Sequence, residues 1–290
     1  MSERVCAVVV THNRRELLRE CLDAVLGQTR RPDHVLVVDN ASTDGTGELL
    51  AEYGDAAEVL RLARNEGSAG GFHAGMTEAA GRDFAWLWVM DDDTIPHADA
   101  LEVLLAAPAE RLAGLPAPSI LASKVVWTDG NVHPMNPPAP HPLDIDLFLA
   151  AVERGAVPIR SSTFPSLLVR SDAVRRHGAP RKGFWIWADD MDFTQRILRD
   201  EVGYAVPASV AVHKTKTAHA PWHGGERFYY AVRNGVFILR GDTLRPNEKL
   251  GWTYLVVTQV VRFLGVERYR PSALRVVLRG LRDGVLKPRP

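Results

Sequence analysis

The sequence predicts an α/β fold: a mostly parallel sheet with helices on both faces. Two observations carry this. Over the first hundred residues, short apolar runs alternate with segments of helical period. Each of the four runs also ends in a polar cluster, the place where open parallel sheets bind their ligands.

Val5–Val10 reads as the first buried strand, and Arg14–Gln28 follows with Leu17, Leu18, Cys21, Leu22 and Val25 at helical spacing. His34–Val38 is the second strand; Asp44-Gly45 marks a turn before a short helix over Thr46–Tyr53. Val59–Leu62 is the third strand. The glycine-rich Asn65–Gly71 leads into a helix ending at Ala80, and Phe84–Met90 is the fourth strand. Beyond it, seven prolines between Pro116 and Pro142 punctuate a stretch with one strand, Ser119–Val126, and Pro134–Pro142 reads as an extended or mobile loop. A strand over Ser161–Val169 follows, then a short helix capped by Ser171, a helix over Asp190–Asp200, and one or two strands in Tyr204–Val212 broken at Pro207. Glu226–Leu239 is helical. Glu248–Leu286 reads as two helices parted near Tyr269-Arg270-Pro271.

Composition narrows the function. Of 290 residues, 46% are hydrophobic and 24% charged, as in an ordinary globular chain. Lys+Arg and Asp+Glu are both 35, which argues against a nucleic-acid partner. Charge is uneven, however: residues 248–290 hold nine Lys/Arg and three Asp/Glu. In the last helix Leu274, Leu278, Leu281 and Val285 form one stripe, and Arg275, Arg279 and Arg282 another. The apolar stripe either packs on the body, leaving the arginines solvated, or meets a membrane surface. The two cysteines, Cys6 and Cys21, fall on apolar faces and read as buried thiols of a reducing compartment. Met1–Val10 lacks the features of a signal peptide and Trp252–Val266 is too short and polar to span a bilayer, so a cytoplasmic protein is expected.

Asp91-Asp92-Asp93 is the most informative motif. Three adjacent carboxylates at a strand end repel one another unless a cation neutralises them, and hard ions such as Mg²⁺ and Mn²⁺ favour such oxygen ligands together with substrate phosphates. Asp39, at the end of the second strand, is placed to accept hydrogen bonds from a ribose or a base; Asp44 reads better as a turn residue. Gly67–Gly71 would let backbone approach a ligand, although it matches neither a dinucleotide fingerprint nor a P-loop. Asp189, Asp190 and Asp192 begin a helix beside Trp185 and Trp187. One such carboxylate is expected from helix capping alone. The cluster also suits a base for a hydroxyl nucleophile, with flat rings for a sugar. His213 or His219 could complete a metal shell.

Taken in order, Val8–Arg14, Val37–Gly45, Asn65–Gly71, Asp91–Asp93, Trp187–Asp190 and Val212-His213 resemble a family-2 glycosyltransferase of the GT-A fold, a Rossmann-like nucleotide-binding mixed sheet with helices on both faces. Gly70–Phe72, the triple Asp and Arg227–Asn234 are most similar to actinobacterial galactofuranosyltransferases, with rhamnosyltransferases close behind. The resemblance implies a GT-A domain over residues 1–240, its nucleotide-sugar half at 1–115 and acceptor half at 116–240, with a basic helical extension at 241–290. It implies inverting, metal-dependent transfer from a nucleotide-sugar to a glycan, glycolipid or natural-product hydroxyl. The implied donor is UDP-galactofuranose, or dTDP-rhamnose as the alternative. Thr11, Asn13, Asp39, Asn65, Gly70, Asp91 and Asp92 would line the donor site. Asp91, Asp93 and His213 would hold Mn²⁺ or Mg²⁺, with His219 in reserve. Asp190 would be the general base, and Trp185, Trp187, Asp189 and His219 would face the acceptor. Asp189 stands where many relatives carry Glu. A lipid-linked acceptor would bring the chain to the inner face of the plasma membrane, through contacts of residues 248–290.

Three other classes compete. A nucleotidyltransferase would carry a glycine-rich basic loop after the first strand, where this chain has Thr11–Arg15. A D-x-D-x-T phosphatase would need Thr where Ile95 stands. A non-catalytic glycan-binding protein would keep the tryptophans but has no use for Asp91, Asp93 and Asp190 together.

Overall fold

The computed structural model describes residues 3–141, 144–218 and 223–290. Its strands are β1 (Val5–Thr11), β2 (His34–Asp39), β3 (Glu58–Arg61), β4 (Trp86–Asp91), β5 (Thr94–Pro96), β6 (Pro118–Val126), β7 (Ala139–Pro140), β8 (Val157–Ser161), β9 (Leu167–Arg170) and β10 (Val202–His213). They form one mixed sheet in the order β3-β2-β1-β4-β9-β6-β10-β8-β7, with β5 pairing separately to β10. β3, β2, β1 and β4 run parallel, as their alternation with helices requires. β9 is antiparallel to both β4 and β6.

Side chains alternate along β1. Val5, Ala7 and Val9 enter one core with Leu18, Cys21 and Leu22 of α1 (Arg15–Leu26), Leu49 of α2 (Thr46–Tyr53) and Leu101 and Leu104 of α4 (Ala100–Glu110). Cys6, Val8 and Val10 enter the opposite core, with Phe72 and Met76 of α3 (Gly67–Ala80) and Phe193 and Ile197 of α7 (Asp189–Ile197). The helices thus cover both faces, as expected. Both cysteines are buried free thiols, and burial pushes that of Cys6 up to about 12.

Several local expectations are corrected or narrowed. Ser161–Val169 is not one strand: β8 stops at Ser161 and β9 starts at Leu167. Between them Leu167 N–H donates to Phe164 O, Pro165 sits at the second position of the turn, and Ser166 at the third has φ 54°, the pattern of a type II turn. Tyr204–Val212 lies within a single strand that slips register between Val206 and Val210, so Pro207 occupies a bulge, where its missing N–H costs no ladder bond. Ser171 opens α6 (Ser171–His177) without capping it, and the cap position falls on Arg170. Residues 134–141 of the proline-rich loop are tied down: β7 pairs with β8, and buried Asn136 donates from Nδ2 to Thr163 Oγ1 at 2.9 Å. Pro142 lies outside the described residues.

The C-terminal helices are α8 (Phe228–Arg240), α9 (Pro246–Val266) and α10 (Pro271–Leu286). Phe228, Tyr229 and Val232 of α8 share a core with Phe263 of α9 and Ala273, Val276 and Val277 of α10. Of the two readings of the last helix, packing of its leucine stripe on the body is overturned. Leu274, Leu278, Leu281 and Val285 are exposed, while small residues carry the packing. A Cβ on Gly280 would lie 2.8 Å from that of Val232, so the absence of a side chain is what lets α10 settle on α8. A further cluster, Phe184, Phe237, Leu244 and Trp252, joins this helical layer to the body.

Candidate active site

The triple aspartate sits where β4 leaves the sheet: Asp91 is its last residue and is half-buried, while Asp92 and Asp93 are buried. The antiparallel pairing of β5 with β10 then sets His213 opposite Thr94. This brings His213 Nε2 to 3.0 Å from Asp93 Oδ1. One ligating atom each from Asp91, Asp93 and His213 lies within 4.8 Å of the others. Burial and the Asp93 charge push Asp91 up to about 7. Burial likewise raises Asp92, to about 6. Burial works against the charged forms of Asp93 and His213 too, yet their mutual contact prevails, holding the Asp93 carboxyl below its usual range and raising the imidazole. Two hard carboxylate oxygens and an imidazole nitrogen, crowded with like charge on one side, fit a divalent cation that would relieve it.

Two residues not singled out in the sequence complete this corner. Arg14 Nη1 lies 3.1 Å from Asp92 Oδ1 and 2.5 Å from Asp93 Oδ2, giving the triplet a counter-charge from the start of α1. Asn136 Oδ1 lies 2.8 Å from His213 Nδ1. Arg14 was visible only as the end of the Val8–Arg14 motif, and Asn136 only as a polar residue among prolines.

The expected donor residues cluster at the same sheet edge. Thr11 donates from Oγ1 to Asp92 Oδ2 at 2.7 Å, so its hydroxyl orients the triplet. Asn13, at φ 53°, accepts from Thr43 N–H at 2.7 Å and ties the end of β1 to the loop after β2. Asp39 is fully buried; Oδ1 accepts from Ser42 N–H, and Oδ2 lacks a hydrogen bond, with Arg61 Nε 3.6 Å away. Asn65 Oδ1 accepts from Gly67 N–H at 2.8 Å and shapes the entry to α3.

The glycine-rich segment is not an open loop but the first turns of α3. Its glycines serve close packing: a Cβ on Gly71 would lie 2.4 Å from Val10 Cγ1, and one on Gly70 2.4 Å from the Cβ of Glu66.

In the second acidic cluster, Asp189 is buried with Oδ2 unpartnered, and Asp190 is half-buried. Burial, with the charges of Asp190 and Asp91, holds Asp189 well above the usual carboxylate range. The Asp91 charge thus reaches Asp189. Burial moves Asp190 up to about 6 against the pull of the Met191 N–H, which donates to its Oδ1 at 2.7 Å. Asp192 plays another part: it is fully buried and bound by Arg181 at 3.0 Å and Thr243 Oγ1 at 2.8 Å, holding α7 to the body. Trp185 is 38% exposed and Trp187 half-buried. His219 lies outside the described residues.

A mixed sheet whose strand-end aspartates face a histidine and a second acidic cluster is the arrangement of a GT-A glycosyltransferase. Residues 6–164 match the family described as Glycosyl transferase family 2, and the chain belongs to that family. It is 30% identical over 285 residues to the galactofuranosyltransferase GlfT1 of Mycolicibacterium smegmatis, covering 88% of this chain and 91% of that protein. It is 31% identical over 293 residues to GlfT1 of Mycobacterium tuberculosis, covering 88% and 90%. Among solved structures, S. aureus TarS 1-349 in complex with UDP superposes with a TM-score of 0.62 at 18% identity, covering 98% of this chain and 81% of that one. The mannosyltransferase PcManGT of Pyrobaculum calidifontis, in complex with GDP-Man and Mn²⁺, gives the same TM-score and identity, covering 99% and 77%. At such identities these two likenesses concern the fold.

Proposed function

We propose that this enzyme transfers galactofuranose from UDP-galactofuranose to a sugar hydroxyl with inversion at the anomeric carbon. The donor is inferred from the likeness to GlfT1 along most of both chains. The observation that carries the reaction type is the pairing of Asp91, Asp93 and His213 with the Asp189-Asp190 turn, in electrostatic reach of Asp91.

Asp39, with Oδ2 unpartnered, is the acceptor of hydrogen bonds from the nucleoside, and Thr11, Asn13, Asn65, Gly70, Asp91 and Asp92 frame the rest of the donor site. Asp91, Asp93 and His213 would hold Mn²⁺ or Mg²⁺, which when bound offsets charge on the leaving diphosphate. Asp190, ionised at neutral pH, takes the proton of the acceptor hydroxyl. As that oxygen bonds to the anomeric carbon, the carbon–oxygen bond to the diphosphate breaks and its electron pair leaves with UDP. Asp189, whose neutral form burial favours, lies beside the base, and the rings of Trp185 and Trp187 are the platform for the acceptor.

The acceptor is a glycan, lipid-linked in this reading. Among the described residues no helix is long and apolar enough to cross a membrane. Support comes instead from exposed stripes: Leu250, Tyr254, Val257 and Val261 on α9, and Leu274, Leu278, Leu281 and Val285 on α10. With Arg275, Arg279 and Arg282 beside the second stripe, this fits peripheral contact with an anionic membrane face. Thermal stabilisation by UDP, dTDP and GDP sugars, with and without Mn²⁺, tests the donor site. The expected result is a Mn²⁺-dependent shift, largest with UDP-galactofuranose, that Asp93→Ala abolishes. A larger shift with dTDP-rhamnose would move the donor assignment to that sugar, and no shift with any would overturn the reading.

A further inference from the structure

We propose that Asn234 of α8, braced by Arg233, is a positioning residue that fixes the backbone of residues 184–188 and so the placement of Asp190; this rests on the reading of Asp190 as the base.

The segment is held in an unusual shape. Trp185 and Trp187 both have φ 66°, and Ala188, the cap of α7, has φ 64°. Left-handed backbone is uncommon for residues other than glycine and a true outlier for a bulky side chain. Such a conformation persists only where its surroundings over-determine it. Here the constraint comes from one fully buried amide. The two N–H groups of Asn234 Nδ2 are shared among three carbonyls, Phe184 O at 3.0 Å, Ile186 O at 2.9 Å and Trp187 O at 2.8 Å. Its Oδ1 accepts from Arg233 Nε at 2.9 Å and Nη2 at 2.8 Å. The same guanidinium reaches Gly183 O at 2.7 Å and Phe184 O at 2.8 Å. The amide orientation is fixed by this arrangement, since the flipped form would set its oxygen against three carbonyls.

The carbonyl between those three points the other way. Trp185 O accepts from Ala69 N–H at 3.1 Å, at the start of α3. Gly67 makes room for it, since a Cβ there would lie 2.2 Å from that oxygen. Residues 184–188 are thus stretched between α8 and α3, and Asp189 and Asp190 follow directly as the first turn of α7. The start of α3 has its own anchor in Asn40, whose Nδ2 donates to Gly67 O at 2.9 Å and whose Oδ1 accepts from Glu66 N–H at 2.9 Å. Asn234 therefore holds residues 184–188 from α8 while Asn40 holds the start of α3, and loss of Asn234 should disturb the catalytic turn while Asn40 keeps the nucleotide side in place.

The test compares Asn234→Ala with Val232→Ala, a neighbour on α8 that packs toward α10. Three quantities are read: UDP affinity, the rate of UDP release from UDP-galactofuranose with water standing in for the acceptor hydroxyl, and hydrogen exchange over residues 184–190. Asn234→Ala is expected to keep UDP affinity within twofold, lose at least tenfold in release rate and exchange at least tenfold faster across the segment. Val232→Ala should lower the melting temperature and leave rate and segment exchange near the parent's. If Asn234→Ala does not fold, Arg233→Lys carries the test, with the same signs at smaller size. Parent-like exchange and rate in the asparagine variant, or equal losses in Val232→Ala, would overturn the proposal. Asp190→Asn separates the two readings: if it retains full turnover, the assignment of the base fails, while the exchange measurement still judges the clamp.

Discussion

Asn136 and His213, from a proline-rich loop and the end of β10, meet through Oδ1 and Nδ1 at 2.8 Å, which turns Nε2 toward Asp93. A ligating imidazole is commonly oriented in this way by the partner of its other nitrogen, and removing that partner typically costs about 10–100-fold in metal affinity. Asn136→Ala should therefore weaken Mn²⁺ binding by that order, measured by calorimetry or by the Mn²⁺ dependence of UDP stabilisation. Unchanged affinity would separate His213 from the metal shell.

Asp190→Asn should lower turnover by about 10²–10⁴-fold, the usual size of a lost general base, while leaving UDP affinity near the parent's. Activity and binding measured on the same preparation check both halves.

Proton uptake by Asp190 should be visible as an acid limb. Burial raises this carboxyl to about 6, and the base works only when ionised, so turnover at saturating Mn²⁺ should be full above that pH. Below it the rate should fall about tenfold per pH unit as the carboxylate is protonated. The residual activity of Asp190→Asn should lack this limb.

Val257→Glu and Leu278→Glu should each weaken binding to vesicles containing anionic phosphatidylglycerol without lowering stability, because both side chains are exposed, at 53% and 63%. Burying one such side chain in the interface is worth about 1.5–3 kcal/mol, so a loss of about tenfold or more per substitution is expected in co-sedimentation. Truncation is a poorer probe. Removing α9 and α10 would bare Phe228, Tyr229 and Val232, which they cover.

Gly280→Val should destabilise the fold, since its side chain would begin 2.8 Å from the Cβ of Val232. Overpacking of this kind typically costs about 1–3 kcal/mol, visible as a lowered melting temperature. UDP affinity should stay unchanged, the site being built on other elements.

Much of the site was legible because its chemistry is written in neighbouring letters. Asp91-Asp92-Asp93 follows an apolar strand directly, and Asp189-Asp190 follows Trp185 and Trp187, so local pattern alone located both acidic clusters. The glycines of Gly67–Gly71 were harder, since a small residue serves a ligand approach and a helix–sheet contact equally well. In the folded chain Gly71 lies against Val10. The α10 stripe left two readings open for a related reason. Periodicity names two faces of a helix without saying which one a neighbour covers, and here the small-residue face met α8.

Short-range pattern encodes alternating burial along β1, the helices that cover both faces, and the polar ends of the parallel strands. Which distant residues meet is settled by the folding of the whole chain. His213 reaches Asp93 because β5 pairs with β10, and Asn234 reaches the carbonyls of 184–187 because α8 packs beside them. Period and propensity describe a segment's own conformation, whereas these contacts depend on strand order and helix docking, which the whole chain fixes through the burial of its shared cores.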